Sequence, residues 1–181
     1  YLKTTFQNEI KNSESIILTP VVKMGDGYDK GIEAFVTMAC KMGVAEKKAR
    51  DAYIYACEKQ IAFEKELYRH GRKALYALEK NTDTFAIVLF GRPYNSFASN
   101  ANMNIPRKVA SRGYTVIPHD MLPSDSYSVD KKMFWAMGQK IMKSAQFVKE
   151  HKKLFGFYIT NFSCGPDSFL LGYFNSVMNG K

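Results

Sequence analysis

Cysteine is scarce in this chain: three in 181 residues, Cys40, Cys57 and Cys164, at unrelated spacings and with no Cys-x-x-Cys pair. An odd, unpatterned count excludes a disulfide scaffold and fits a reducing compartment, so the expected location is cytoplasmic. Long apolar runs are missing too. No stretch of about 18 apolar residues exists, which excludes a membrane-spanning helix. The polar start, residues 1–11, lacks the apolar core of a secretory leader. Twelve glycines and six prolines in no fixed period exclude collagen-like and low-complexity chains. Histidine is limited to His70, His119 and His151. Neither a Walker loop nor the three-glycine dinucleotide signature is present.

What is there is globular. Hydrophobic residues are 46% and charged residues 24%, and a chain of this length buries enough surface to fold without a staple. The net charge is +9. Residues 1–82 carry 14 basic and 11 acidic side chains, and residues 83–181 carry 12 and 6, so the excess lies mainly in the second half. Such a domain favours anionic partners: nucleotides, coenzyme A, nucleic acid or an acidic neighbouring domain. Nucleic acid is the weakest of these, because the basic run Lys149, His151, Lys152, Lys153 lacks interleaved aromatics or a recognition helix. The chain begins at Tyr1 and ends at Lys181 directly after a helix-like run. It reads as a piece cut from a longer protein, whose other domains are then its first expected partners.

Periodicity divides the chain near Asn81. Residues 15–22 look extended, and Pro20 makes them an edge strand or a tethered arm. Residues 25–27 form a loop. Ile32, Phe35, Val36, Ala39 and Met42 have helical spacing, closed by Gly43. A proline-free helical pattern runs from about Ala45 to Glu79, with Gly71 as a point where it breaks or bends. A mainly helical part, 1–82, is therefore expected to pack on a core formed by 83–181. In that second part, 85–90, 114–118 and 155–160 read as strands. Helices are predicted at about 105–112, 130–150 and from Cys164 to Asn179. Strand–helix alternation implies an α/β fold: a Rossmann-like or flavodoxin-like parallel sheet with flanking helices. Ligands bind such sheets at the carboxyl ends of the strands, so the three strand-exit loops share one functional edge.

Two of those loops carry candidate chemistry. Gly91-Arg92-Pro93-Tyr94-Asn95 follows the first strand, where glycine lets backbone N–H groups approach an anion and Arg92 can grip a phosphate or carboxylate. The alternative is a structural turn with Arg92 paired to a local carboxylate. Cys164-Gly165-Pro166-Asp167-Ser168 opens the last helix, and a cysteine there feels the positive end of the helix dipole, which favours the thiolate. That makes Cys164 a metal ligand, a redox thiol or a nucleophile. The alternative is a small buried residue at a tight turn, with Asp167 serving the dipole. An iron–sulfur cluster takes three or four cysteines. Cys40 and Cys57 read as core residues of helices, so this chain alone should not hold a cluster firmly. Thiol catalysis wants a histidine, and only His119 lies on a neighbouring loop; a solvent-exposed loop histidine is its expected state. Trp135 and Gly138 fall in the second-half helix and read as core packing and as a close helix–sheet contact.

The ordered set Gly91–Asn95, Asn104-Ile105-Pro106, Trp135 with Gly138-Gln139, and Thr160-Asn161-Phe162 leading into Cys164–Ser168 resembles the CoA-substrate-specific enzyme activases, the activator-related relatives of 2-hydroxyglutaryl-CoA dehydratase. The likeness is strongest from about Phe85 to Phe174 and weaker before Asn81. The resemblance implies a dehydratase-like region of a long anaerobic protein. It implies a part in iron–sulfur-dependent 2-hydroxyacyl-CoA dehydration, or in its activation by low-potential electron transfer. On that reading Cys164 is a ligand of a [4Fe–4S] cluster, together with cysteines from the rest of the parent. Arg92, Tyr94, Asn95, Asn161, Asp167 and Ser168 line a site for an acyl-CoA or another anionic small molecule. The competing expectation is a non-catalytic docking module that seats CoA or an activase partner on its basic surface. The catalytic residues are not named by either, and the isolated piece is expected to be inactive.

Overall fold

The structure is a computed structural model, and it describes residues 2–13, 16–25, 27–161, 164–179 and 181. Ser15, Asp26 and Phe162, which figure in the expectations above, lie outside the described residues. The chain divides into two compact units, residues 1–62 and 63–181, each with its own contacts. No described helix is long and apolar enough to cross a membrane.

The first unit is helical. Two short helices, α1 (Leu2–Thr5) and α2 (Gln7–Lys11), bury nothing. Residues 16–24 form neither helix nor strand; Pro20 lacks the N–H that a ladder needs, and the expected edge strand is absent there. A 3-10 turn, Tyr28–Gly31, leads into α3 (Ile32–Lys41). The chain leaves α3 through Gly43 at φ +83°, with the Gly43 N–H donating to Cys40 and the Val44 N–H to Ala39. That pairing satisfies the last carbonyls and requires the left-handed backbone that glycine adopts freely. α4 (Glu46–Lys80) is one unbroken helix of 35 residues, and its first half belongs to this unit. Val36 and Ala49 are buried, and the Phe35 and Tyr53 rings meet at 5.3 Å. Cys40 is exposed and Cys57 half-buried, so neither is the core residue that helical spacing suggested. An apolar groove of about 620 Å³ runs between Met24, Phe35, Met38 and Tyr53.

The second unit is the predicted α/β fold. Strands β1 (Ala86–Phe90), β2 (Thr115–Pro118) and β3 (Leu154–Tyr158) form one sheet in the order β2-β1-β3, with both pairings parallel. β1 is central because it is apolar throughout: Ala86, Val88, Leu89 and Phe90 are all buried. α5 (Pro93–Ser96) and α6 (Ile105–Ala110) lie between β1 and β2. α7 (Ala136–Glu150) joins β2 to β3, and α8 (Gly165–Met178) follows β3. The core joins Val88, Phe90 and Leu154 of the sheet to Ile141, Ala145 and Val148 of α7, and to Leu170 and Phe174 of α8. Burial of this kind contributes roughly 25 cal/mol per Å² of apolar surface.

Three local expectations change. Gly71 does not break α4; a Cβ there would sit 1.9 Å from the Met121 carbonyl oxygen, so the glycine lets helix and loop touch. Gly138 serves a helix–helix contact rather than a helix–sheet one, since its Cβ would fall 2.9 Å from Leu170 of α8. α7 starts only at Ala136, about six residues later than the apolar spacing indicates, because residues 131–135 turn before the helix. Phe134 is therefore left 85% exposed and Trp135 stands half out of the core, edge-on to Phe169 at 5.3 Å, while Met133 takes the buried place.

Candidate functional site

Strand order decides where the loops meet. In a β2-β1-β3 sheet the connection from β1 runs one way and the return to β3 crosses back, so the exits of β1 and β3 flank the point where the winding reverses. Outside the carboxyl ends of the strands, that point is where open α/β sheets bind their ligands. Gly91 sits at this point with φ +133°, and its missing side chain admits Ser96 Oγ and the Ile159 carbonyl. Ser96 Oγ donates to the Phe90 carbonyl at 2.9 Å, and Asn102 Nδ2 donates to the Ser96 carbonyl at 2.6 Å. Both side chains are buried. They pin the β1-exit loop, so Arg92 enters the short helix α5 in a fixed direction.

Arg92 reaches the opposite loop. Its Nε lies 2.7 Å from Asp167 Oδ1, and its Nη2 donates to Cys164 Sγ. Asp167 is fully buried in the first turn of α8, and its other oxygen accepts from Asn95 Nδ2 at 3.0 Å. Asn95 Oδ1 accepts from Asn161 Nδ2 at 2.7 Å. The Arg92 Nε–H does not align with Oδ1 as a hydrogen bond, so charge rather than directed bonding carries that contact. The Asp167 carboxylate still holds the guanidinium charged and moves its pKa above the usual range. The guanidinium lies 4.7 Å from the ring centre of Tyr94, a further electrostatic contact.

Five of the sequence-derived residues, Arg92, Asn95, Asn161, Cys164 and Asp167, thus form one network at the switch point. Tyr94 adjoins it with its ring half exposed. Ser168 is exposed and enters only by its backbone, whose N–H donates to the Cys164 carbonyl at 2.9 Å. Tyr158, at the end of β3, escaped the sequence reading. Its hydroxyl is buried without a hydrogen-bond partner among the described residues, and burial pushes its pKa up to about 12. Position at a strand end was its one sequence signal, and every strand has such a residue.

His119 is not the exposed loop histidine expected. It is 2% exposed, stacked on Phe90 at 5.5 Å, with Nε2 3.2 Å from the Gly91 carbonyl. Burial lowers its pKa to about 4. With the folded value below the unfolded value of about 6.5, the unfolded chain binds the proton first as pH falls, and stability declines between those two values. Denaturant melts from pH 7 to pH 4.5 should therefore show an acid loss of about 2 kcal/mol from this residue. His119→Gln, which keeps a donor for Gly91, should flatten that part of the profile; an unchanged slope would assign the loss elsewhere.

A [4Fe–4S] cluster can be tested against these donors. Among the described residues no three His, Cys, Asp or Glu side chains converge on a metal position. Asp167 is committed to Arg92 and Asn95. The residues fit one corner of a cluster, the Cys164 sulfur, and not a complete site.

No curated protein and no solved structure matches the chain. One family model does, described as CoA enzyme activase uncharacterised domain (DUF2229), over residues 1–122. That range takes in the helical region before Asn81, where the resemblance looked weaker, together with β1, β2 and the loop bearing Arg92, Tyr94 and Asn95. It stops before Cys164 and Asp167. With about two-thirds of its length so matched, the chain belongs to the CoA enzyme activase family.

Proposed function

We propose that the α/β unit presents Cys164 to the redox centre of a CoA enzyme activase-related protein that takes part in 2-hydroxyacyl-CoA dehydration, or in its activation by low-potential electron transfer. One observation carries this reading: Arg92 joins Cys164 and Asp167 across the switch point of the sheet. Cys164 would supply one ligand of a [4Fe–4S] cluster whose other cysteines come from the parent chain. The cluster, when bound, supplies single electrons at low potential. The work of this chain is positional. Arg92 donates to the sulfur, Asp167 fixes Arg92, and Asn95 with Asn161 locks the two loops together.

The test is the parent protein prepared anaerobically with and without Cys164→Ala, assayed for iron, labile sulfide and visible iron–sulfur absorption. Loss of half or more of the cluster is expected. A full cluster in both forms would sink the ligand role. A second reading has its own support. The family match ends before Cys164, and residues 63–181 carry 17 basic against 9 acidic side chains. That suits a docking module for CoA or an activase partner. It predicts that partner binding survives Cys164→Ala and falls when surface cations are reversed.

A further inference from the structure

We infer that the open face of the α/β sheet seats an amphipathic helix of a partner protein, apolar side down, with acidic side chains along its polar side. A parallel sheet is ordinarily covered by helices on both faces. One face here is covered: Ala86, Val88 and Phe90 of β1, with Leu154 of β3, pack on α7 and α8. Alternate residues point the other way, Leu89 of β1, Val116 of β2, and Phe155 and Phe157 of β3. On that side α6 meets only the carboxyl-end part, beside Leu89, Val116 and Pro118. With six residues it is about 9 Å long, too short to cover the strands. Phe85, Tyr114, Phe155 and Phe157 are left 39–42% exposed. The Phe85 ring meets Tyr114 at 5.1 Å and Phe155 at 5.3 Å, so the open part is one aromatic strip across all three strands. A contiguous apolar patch of this kind marks an interaction surface.

Shape selects a helix. Three strands about 4.8 Å apart make a strip roughly 10 Å wide, which is the width of one helix with its side chains. An added strand would pair at an edge of the sheet and leave this face bare. Charge selects the partner. The segments that build the face, residues 84–119 and 151–161, contain six cations, Arg92, Arg107, Lys108, Arg112, Lys152 and Lys153, and no carboxylate. Arg92 is held by Asp167, and Lys153 Nζ by the carbonyls of Leu78 and Asn81. The other four are exposed. Arg107 and Lys108 lie on α6, Arg112 just after it, and Lys152 just before β3. An apolar strip bordered by cations with no acid among them attracts a helix flanked by glutamate or aspartate and repels a basic one. It also disfavours a second copy, since residues 63–181 carry 17 basic against 9 acidic side chains. None of the four exposed cations belongs to the Cys164 network. The inference rests on the docking reading, to which it gives a surface and a partner chemistry.

The full chain is titrated by fluorescence anisotropy with two labelled synthetic helices of about 18 residues, both with leucines at i, i+3, i+4 and i+7. The polar positions are glutamate and alanine in one, lysine and alanine in the other. The glutamate helix should bind at least tenfold tighter than the lysine helix, and should weaken as salt rises. Phe157→Ser should weaken it at least tenfold, with a thermal melt to confirm the fold. Lys108→Glu with Arg112→Glu, both on exposed positions, should do the same without touching the apolar strip. Lys131→Glu with Lys132→Glu, exposed ahead of α7, changes the net charge equally and should leave most of the binding. No binding of the glutamate helix, equal binding of the lysine helix, or an equal loss in the control pair overturns the surface. A dimer that Phe157→Ser dissolves would make a second copy the occupant and overturn the partner. Activase-partner binding that survives Phe157→Ser would keep the docking reading and overturn this face alone. Cys164→Ala should leave helix binding unchanged, and Phe157→Ser should leave the cluster content of the parent protein unchanged, so this surface and the redox role fail separately.

Discussion

Arg92→Met should unfold the α/β unit more readily than almost any other single change, by about 3–5 kcal/mol, the usual result of removing one member of a buried ion pair. The reason is what stays behind. Asp167 is fully buried, and its remaining side-chain partner is the neutral amide of Asn95. Methionine fills much of the volume and offers no charge. The partner change, Asp167→Leu, should cost less. Arg92 keeps 19% of its side chain in solvent and can turn its charge outward. The double variant Arg92→Met with Asp167→Leu should recover part of the loss, because replacing a whole buried pair by apolar groups is often nearly neutral. Urea unfolding of the four proteins closes the cycle. If the two single losses simply add in the double variant, the residues are not coupled and the network at the switch point does not exist.

The coupling also marks the limit of what the sequence revealed. β1 was legible because an unbroken apolar run such as Phe85–Phe90 has one common use, a strand covered on both faces. The long helix was legible because residues 45–79 lack proline and keep a helical stripe. Arg92, Asn95, Cys164 and Asp167 were each legible as loop residues on one sheet edge. That Arg92 pairs with Asp167 was not legible, because the two stand 75 positions apart and their meeting depends on strand order. The sequence order β1, β2, β3 would serve equally well for a sheet with β2 in the middle. The observed β2-β1-β3 arrangement puts β1 in the middle, so its exit meets that of β3 through Arg92 and Asp167 and that of β2 through His119 and Gly91. His119 misled for a related reason. A histidine after a strand looks exposed until Phe90 and Phe97 close over it, at 5.5 and 5.7 Å.

Gly91→Ala should be as damaging, at about 3–5 kcal/mol, by a different route. Two costs combine. The backbone stands at φ +133°, where L side chains are strained by about 1–3 kcal/mol. The new methyl would also lie 2.0 Å from Ser96 Oγ and 2.4 Å from the Ile159 carbonyl oxygen. Ser96 can rotate aside, but it then gives up its bond to the Phe90 carbonyl, worth about 1 kcal/mol. Ile159 has no such freedom, since its N–H is tied to the same carbonyl at 2.9 Å, where β3 leaves the sheet. Relief must come from separating the two loops that carry Arg92 and Asn161, so the network around Cys164 should loosen along with the fold. Gly113→Ala is the internal control. Gly113 has φ +89°, but a Cβ there would meet nothing within 4 Å, so it should show the backbone cost alone, about 1 kcal/mol. Chemical denaturation of both variants separates the two terms. Equal losses at the two glycines would mean that the close approach of the β1 and β3 exits contributes nothing, and the tight junction at the switch point would have to be abandoned.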